Sequence, residues 1–286
     1  MDRLYLAHFG LAERPFGITP DTSFIYSGSA HQEALNTLLI GLASGEGFIK
    51  ITGEVGAGKT LLCRRFLATL GEQYFSVYLP NPSLAPLPLL HAVAEELNLQ
   101  LDAAETQFQL IKHINTRLLE LNQQGLTVVC CVDEAQAAPL ESLEALRLLS
   151  NLETEKHKLM HIVLFGQPEL DVHLADPSVR QLRQRIAFHH HLPGLVAAEV
   201  EHYLNHRLKA AGRRGAALFR PRAASRLHRY SGGIPRLINI LANKALLAAY
   251  GEGRDIVETR HVLAAARDTE GVNFGWRERI GGPFVW

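Results

Sequence analysis

Apolar positions recur along this chain with two periods, and where one gives way to the other the architecture changes. Leu126–Val132 is an uninterrupted apolar run typical of a central parallel strand, 48–52 is a short apolar strand, Phe75–Leu79 alternates as a strand does, and His161–Phe165 and Ile186–Leu192 read as two further strands. Between them lie stretches with helical spacing. Residues 30–44 carry Ala34, Leu35, Leu38, Leu39 and Leu42, and 58–70 carry Leu61, Leu62, Phe66 and Leu67. Further helices are predicted at 86–98, at 104–123 (Leu110, Ile111, Ile114, Leu118, Leu121) and over Leu140–Leu152 behind Pro139. This alternation predicts an α/β fold, a five-stranded parallel sheet with helices on both faces. After Pro193-Gly194 only the helical period remains, at 196–211, 221–230, 234–250 and 258–268. Residues 1–29 show neither period, interleaving Gly10, Pro15, Gly17, Pro20 and Gly28 with Phe9, Phe16, Phe24 and Tyr26. The expected organisation is an irregular linker at 1–29 packed on the core, an α/β domain at 30–194, a helical lid at 195–270 and a tail at 271–286.

The first predicted strand runs directly into Gly53-Glu54-Val55-Gly56-Ala57-Gly58-Lys59-Thr60, then Leu61. That spacing fits the phosphate-loop template G-x4-G-K-[ST]. Gly53, Gly56 and Gly58 are expected to permit positive dihedrals, so that successive N–H groups cradle an anion. Lys59 would reach the β- and γ-phosphates and Thr60 would offer its hydroxyl to Mg2+. The helix opening near Gly58 would point its positive end at the phosphates. The chemistry implied is binding of a nucleoside triphosphate.

The strand ending at Val132 delivers Asp133-Glu134 to the carboxyl edge of the sheet, beside the phosphate loop. Asp133 is expected to hold Mg2+ and Glu134 to orient and polarise the attacking water. Strand 161–165 ends in Gly166-Gln167, placing Gln167 where it could touch the γ-phosphate or that water. Gly232-Gly233-Ile234-Pro235-Arg236 opens a lid helix, with Arg236 projecting toward the nucleotide.

Composition adds compartment and charge. Lys+Arg and Asp+Glu both number 29, yet from Val196 onward there are 15 basic against 8 acidic residues, leaving 14 against 21 before it. The front is about −7 and the back about +7, so the lid could face an acidic partner, nucleic acid or the acidic front of the chain itself. Cys63, Cys130 and Cys131 have no metal-ligand spacing, and neighbours on one strand point to opposite faces, which predicts free buried thiols suited to a reducing cytosol. Neither a signal peptide nor an apolar run of about 18 residues is found.

Together the phosphate loop, Asp133-Glu134-Ala135-Gln136 and Gly233-Ile234-Pro235-Arg236 resemble an AAA+ ATPase. More narrowly, the chain resembles the general secretion pathway protein A family. It does so through Phe9-Gly10-Leu11, Arg14-Pro15-Phe16, Thr19-Pro20-Asp21, Leu149-Ser150-Asn151-Leu152-Glu153-Thr154, Phe165-Gly166-Gln167-Pro168-Glu169-Leu170 and Arg183-Gln184-Arg185-Ile186. The resemblance implies ATP and Mg2+ as ligands, Gln167 as sensor 1, Arg236 as sensor 2, and an arginine finger among Arg180, Arg183 and Arg185. It implies a homo-oligomeric ring, a hexamer being one size it allows, serving a type IV pilus or general secretion apparatus. The protein would be cytoplasmic, docked peripherally on inner-membrane partners, with the lid and the apolar tail Gly282–Trp286 as docking surfaces. The family's longer members continue into a membrane span and a peptidoglycan-binding domain, and nothing in this sequence matches either. A second reading is an ATP-dependent DNA-binding factor of the transposition or initiation type, and a third a nucleotide switch that barely hydrolyses. Absence of a helix-turn-helix or a basic arm weighs against the second, and Glu134 against the third.

Overall fold

A computed structural model describes residues 2–19, 21–100, 105–153 and 158–272; the proposed tail docking segment lies outside them. The strands are β1 (Phe48–Gly53), β2 (Tyr74–Leu79), β3 (Thr127–Val132), β4 (Met160–Gly166) and β5 (Ile186–Leu192). The helices are α1 (Asp2–His8), α2 (Ser29–Ala43), α3 (Lys59–Thr69), α4 (Pro86–Glu96), α5 (Gln107–Gln123), α6 (Leu140–Leu149), α7 (Glu169–Leu174), α8 (Arg180–Arg185), α9 (Ala197–Ala210), α10 (Pro221–Ser231), α11 (Pro235–Gly251) and α12 (Thr259–Arg267). The chain divides into two units: residues 31–54 with 62–192, and residues up to 30 with 55–61 and 193 onward.

In the first unit the five strands pair in the order β2-β3-β4-β1-β5, all parallel. The chain enters at an interior strand, jumps outward to β2, then returns through β3 and β4 before crossing to the far edge. Ligands of open parallel sheets bind outside the carboxyl ends of strands at such a reversal. One face buries Val128, Cys130, Val132, Met160, Ile162 and Leu164 beneath Leu89 and Val93 of α4, Ile114 and Leu118 of α5, and Leu143 and Leu146 of α6. The alternate residues Val129, Cys131, Val163 and Phe165 are equally buried. On that face α2 approaches so closely that a Cβ on Gly41 would lie 2.8 Å from Ile49. Burial on both faces explains the near-continuous apolar runs of β3 and β4, whereas the edge strands β2 and β5 are half-buried or exposed at most positions. All three cysteines are buried and free, and burial holds the Cys130 and Cys131 thiols up. Helix α5 starts with a capping box: Gln109 N–H donates to Thr106 Oγ1 (3.4 Å) and Thr106 N–H to Gln109 Oε1 (2.9 Å).

His161 on β4 donates its Nδ1 proton to the Glu46 carbonyl (2.6 Å), and burial lowers its pKa from the usual 6.5. In the unfolded chain it would protonate near 6.5. Its contribution to stability is therefore complete above that value and is lost as pH falls through the lower folded one. Denaturant midpoints measured between pH 7.5 and 5 should fall less steeply for His161→Gln than for the parent; equal slopes would refute the assignment.

The second unit has its own core, joining Leu204, Leu208, Leu227, Ile238, Leu241, Leu246 and Val262 from α9–α12. Tyr5, Phe9, Leu11, Phe16 and Phe24 from the N-terminal segment complete it. Arg207, only 7% exposed, staples that segment down: Nε donates to Pro15 O (2.6 Å), Nη2 to Gly17 O (3.4 Å), and the guanidinium sits 4.7 Å over the Phe24 ring. The expectation of an irregular segment over 1–29 is corrected by α1, which Gly10 closes at φ +62°. Its single buried stripe, Tyr5 with Phe9, was too short to show a period. Helices α7 and α8, six residues each, were missed for the same reason.

Candidate functional site

Where β1 ends, the phosphate loop begins. Gly53 is the last residue of β1 and pairs with Leu192 of β5, which keeps it extended. The expected positive dihedral at Gly53 is thereby corrected: those dihedrals fall on Gly56 (82°) and Gly58 (103°). Glu54 and Val55 are exposed, Ala57 is buried, and Leu61 is half-buried. Lys59 and Thr60 are the first residues of α3, so the N-terminal end of that helix lies at the loop. Lys59 is 5% exposed.

The lid motif meets this loop. The backbone N–H of Arg236 donates to Gly56 O (3.2 Å). A Cβ on Gly56 would lie 2.4 Å from the Arg236 Cβ, so glycine is required there by approach as well as by φ. The Arg236 side chain is exposed beside the loop.

The acids after β3 are positioned separately. Asp133 is 2% exposed; its Oδ1 accepts the Glu134 N–H (3.0 Å) and its Oδ2 the Tyr78 hydroxyl (3.3 Å). Burial, with the charge of Asp133, pushes the Tyr78 phenol up to about 12, so it stays a donor. Glu134 adopts a left-handed conformation (φ 51°, ψ 39°), which costs a non-glycine residue about 1–2 kcal/mol. Residues held this way concentrate at functional sites. Glu134 Oε2 accepts from Gln136 Nε2 (2.6 Å) and Gln167 Nε2 (3.0 Å), and Gln136 Oε1 accepts the Gln167 backbone N–H (2.9 Å). Hydrogen bonds to a carboxylate contribute about 1.5–3 kcal/mol each, enough to offset the strain. The structure thus brings Glu134 and Gln167 together. Tyr78 and Gln136 are members that reasoning on the sequence missed; the signals were their places one residue before the end of β2 and two residues after the acid.

On α8, Arg183 and Arg180 are exposed. Arg185 is half-buried, and its Nη1 donates to Ser150 Oγ (3.2 Å). No cluster of His, Cys, Asp and Glu suited to a metal ion, and no helix long and apolar enough to cross a membrane, occurs among the described residues.

Comparison with known proteins finds this arrangement elsewhere. Residues 42–174 match the AAA domain model. The general secretion pathway protein A of Aeromonas hydrophila is 42% identical over 94% of this chain, and the chain spans about half (49%) of that relative's length. Among solved structures, Cdc6p from Pyrobaculum aerophilum is similar with TM-score 0.67, 17% identity, covering 93% of this chain and 75% of its own. The Aeropyrum pernix ORC2 protein, determined as ADPNP-ADP complexes, gives TM-score 0.62 and 18% identity, covering 91% and 74%. At such identities the two structures speak for the fold alone. Sheet order, phosphate loop, strand-end acids and 42% identity agree: this chain carries an AAA-type P-loop domain and is similar along nearly its whole length to general secretion pathway protein A.

Proposed function

We propose that this chain binds ATP with Mg2+ and hydrolyses it to drive or regulate assembly of a type IV pilus or general secretion apparatus at the inner membrane. The 42% identity across 94% of the chain to general secretion pathway protein A carries this reading. Within that family the segment Gly47-Phe48-Ile49-Lys50 before the loop looks most like MshM, the ATPase of mannose-sensitive haemagglutinin pilus biogenesis.

The donor set fits a magnesium nucleotide. Two positive-φ glycines, one with no room for a Cβ, leave backbone N–H groups for the phosphates, and Lys59 supplies charge. The hydroxyl of Thr60 and the buried Asp133 carboxylate are hard oxygen donors that would hold Mg2+. When bound, the ion would neutralise charge on the phosphate oxygens. Glu134 orients the attacking water, Gln167 fixes Glu134, and Arg236 senses the bound nucleotide from the lid. Arg183 is the better arginine finger, because Arg185 is already drawn to Ser150. Its target would be the nucleotide of a neighbouring subunit in a homo-oligomeric ring.

Two measurements test this. Arg183→Ala (intact loop) mixed with Lys59→Ala (intact arginines) should regain hydrolysis that neither has alone, through one complete composite site. A wild-type rate from strictly monomeric protein would refute a finger acting between subunits. The nucleotide-locked Glu134→Gln protein should also co-sediment with inner-membrane vesicles carrying the pilus or secretion proteins, and not with vesicles lacking them.

The acid-free stretch from residue 202 to 251, which carries ten Lys and Arg, favours DNA as the second reading. It demands ATP-dependent duplex binding that weakens about 10^3-fold or more between 50 and 200 mM salt. Such binding, without loss of pili or secretion on gene deletion, would replace the first reading.

A further inference from the structure

The side chain of Gln136 is committed at both ends. Its Oε1 accepts the backbone N–H of Gln167 (2.9 Å), a group that can only donate, so the amide has one orientation and Nε2 must face Glu134. There Nε2 donates to Glu134 Oε2 at 2.6 Å, the same oxygen that takes the Gln167 amide at 3.0 Å. Gln136 sits in a short 3-10 turn, Ala135–Ala137, anchored by the fully buried Ala135. The end of β4 makes space for it: a Cβ on Gly166 would lie 3.3 Å from Gln136 Oε1 and 2.7 Å from Leu170 Cδ2. One side chain therefore measures the position of the Glu134 carboxyl group against the backbone at the end of β4.

We infer that Gln136 is a positioning residue for hydrolysis, holding the Glu134 carboxyl group in a fixed rotation toward the attacking water. This rests on the reading of Glu134 as the residue that orients that water. Without the Gln136 donor, Glu134 loses the shorter of its two amide bonds, and the rotation of its carboxyl group about the last torsion is less fixed. Ground-state binding of nucleotide does not involve that torsion, so the loss falls on kcat.

Gln136→Glu separates positioning from support. A glutamate has the same shape and still accepts the Gln167 N–H, but it offers Glu134 a second carboxyl group in place of a donor. We expect kcat to fall roughly 10- to 100-fold, with nucleotide Kd within about threefold of the parent and Tm little changed. In a Glu134→Gln background the same substitution should add no further loss, because residues acting as a unit are non-additive. A wild-type kcat in Gln136→Glu, while Glu134→Gln is inactive, overturns the positioning role alone. Equal fractional losses in both backgrounds also overturn it, in favour of a structural role. Wild-type hydrolysis by Glu134→Gln overturns the reading of Glu134 instead. If Gln136→Glu does not fold, Gln136→Met carries the same pair of measurements without the added charge.

Discussion

Lys59→Ala is expected to abolish nucleotide binding, whereas Glu134→Gln keeps binding and lowers turnover by about 10^2–10^4-fold, the usual weight of a positioned general base. The two residues act on different free energies. Lys59 opens α3 and is 5% exposed, so a phosphate there would meet its charge in a poorly solvated place, where neutralisation matters for bound substrate and transition state alike. Removing it leaves phosphate charge uncompensated at every stage, and affinity goes. Glu134 is held away from ordinary backbone geometry and gripped by two amides. Glutamine there keeps the size but loses the base, so only the step that moves a proton suffers. A fluorescent ATP analogue titrated against both variants, with phosphate release measured in parallel, checks the division. Wild-type hydrolysis by Glu134→Gln would remove that residue from the chemistry, and nucleotide binding by Lys59→Ala at parental affinity would remove the loop.

Much of this was legible beforehand, for physical reasons that differ from element to element. The run Leu126–Val132 had to be an interior strand because both of its faces are covered, and Val128 through Val132 are fully buried. The loop was legible because its glycine spacing is set by backbone geometry, and Gly56 and Gly58 take the positive φ that the spacing demands. Helices with several turns, such as α5 and α11, repeat their buried stripe often enough to be read; α1, α7 and α8 do not. Polar networks were the hardest. Gln136 was visible as a letter beside the acids, but its bond to the Gln167 backbone exists only because β3 and β4 pair in register, Val132 opposite Leu164. Tyr78 became a partner of Asp133 through the pairing of Leu79 with Val132. The bond from Arg185 to Ser150, which leaves Arg183 the more exposed of the two, was likewise out of reach of the sequence, because it joins residues 35 apart.

Gly233→Ala should lower stability by about 3 kcal/mol or more and uncouple the lid motif from the phosphate loop. Gly233 has φ +79°, which by itself costs an alanine about 1–2 kcal/mol. The larger cost is collision: a Cβ there would lie 2.2 Å from the carbonyl oxygen of Leu195 and 2.9 Å from its nitrogen. Those are backbone atoms held in place, since Leu195 N–H donates to Gly233 O at 2.8 Å, and no rotamer change can relieve them. Either the 194–195 segment or the start of α11 must move. If α11 moves, Arg236 moves with it and loses its bond to Gly56 O. Thermal unfolding of Gly233→Ala is then expected about 6 °C or more below the parent, with ATP turnover depressed even where the protein remains folded. Gly251, the last residue of α11, makes the control: it has neither a positive φ nor any neighbour within 4 Å of a built Cβ. Alanine there should stabilise by up to about 1 kcal/mol through helix propensity and leave turnover alone. If the two substitutions gave the same Tm and the same rate, the tight crossing at Leu195 would have no part in holding Arg236 to the loop.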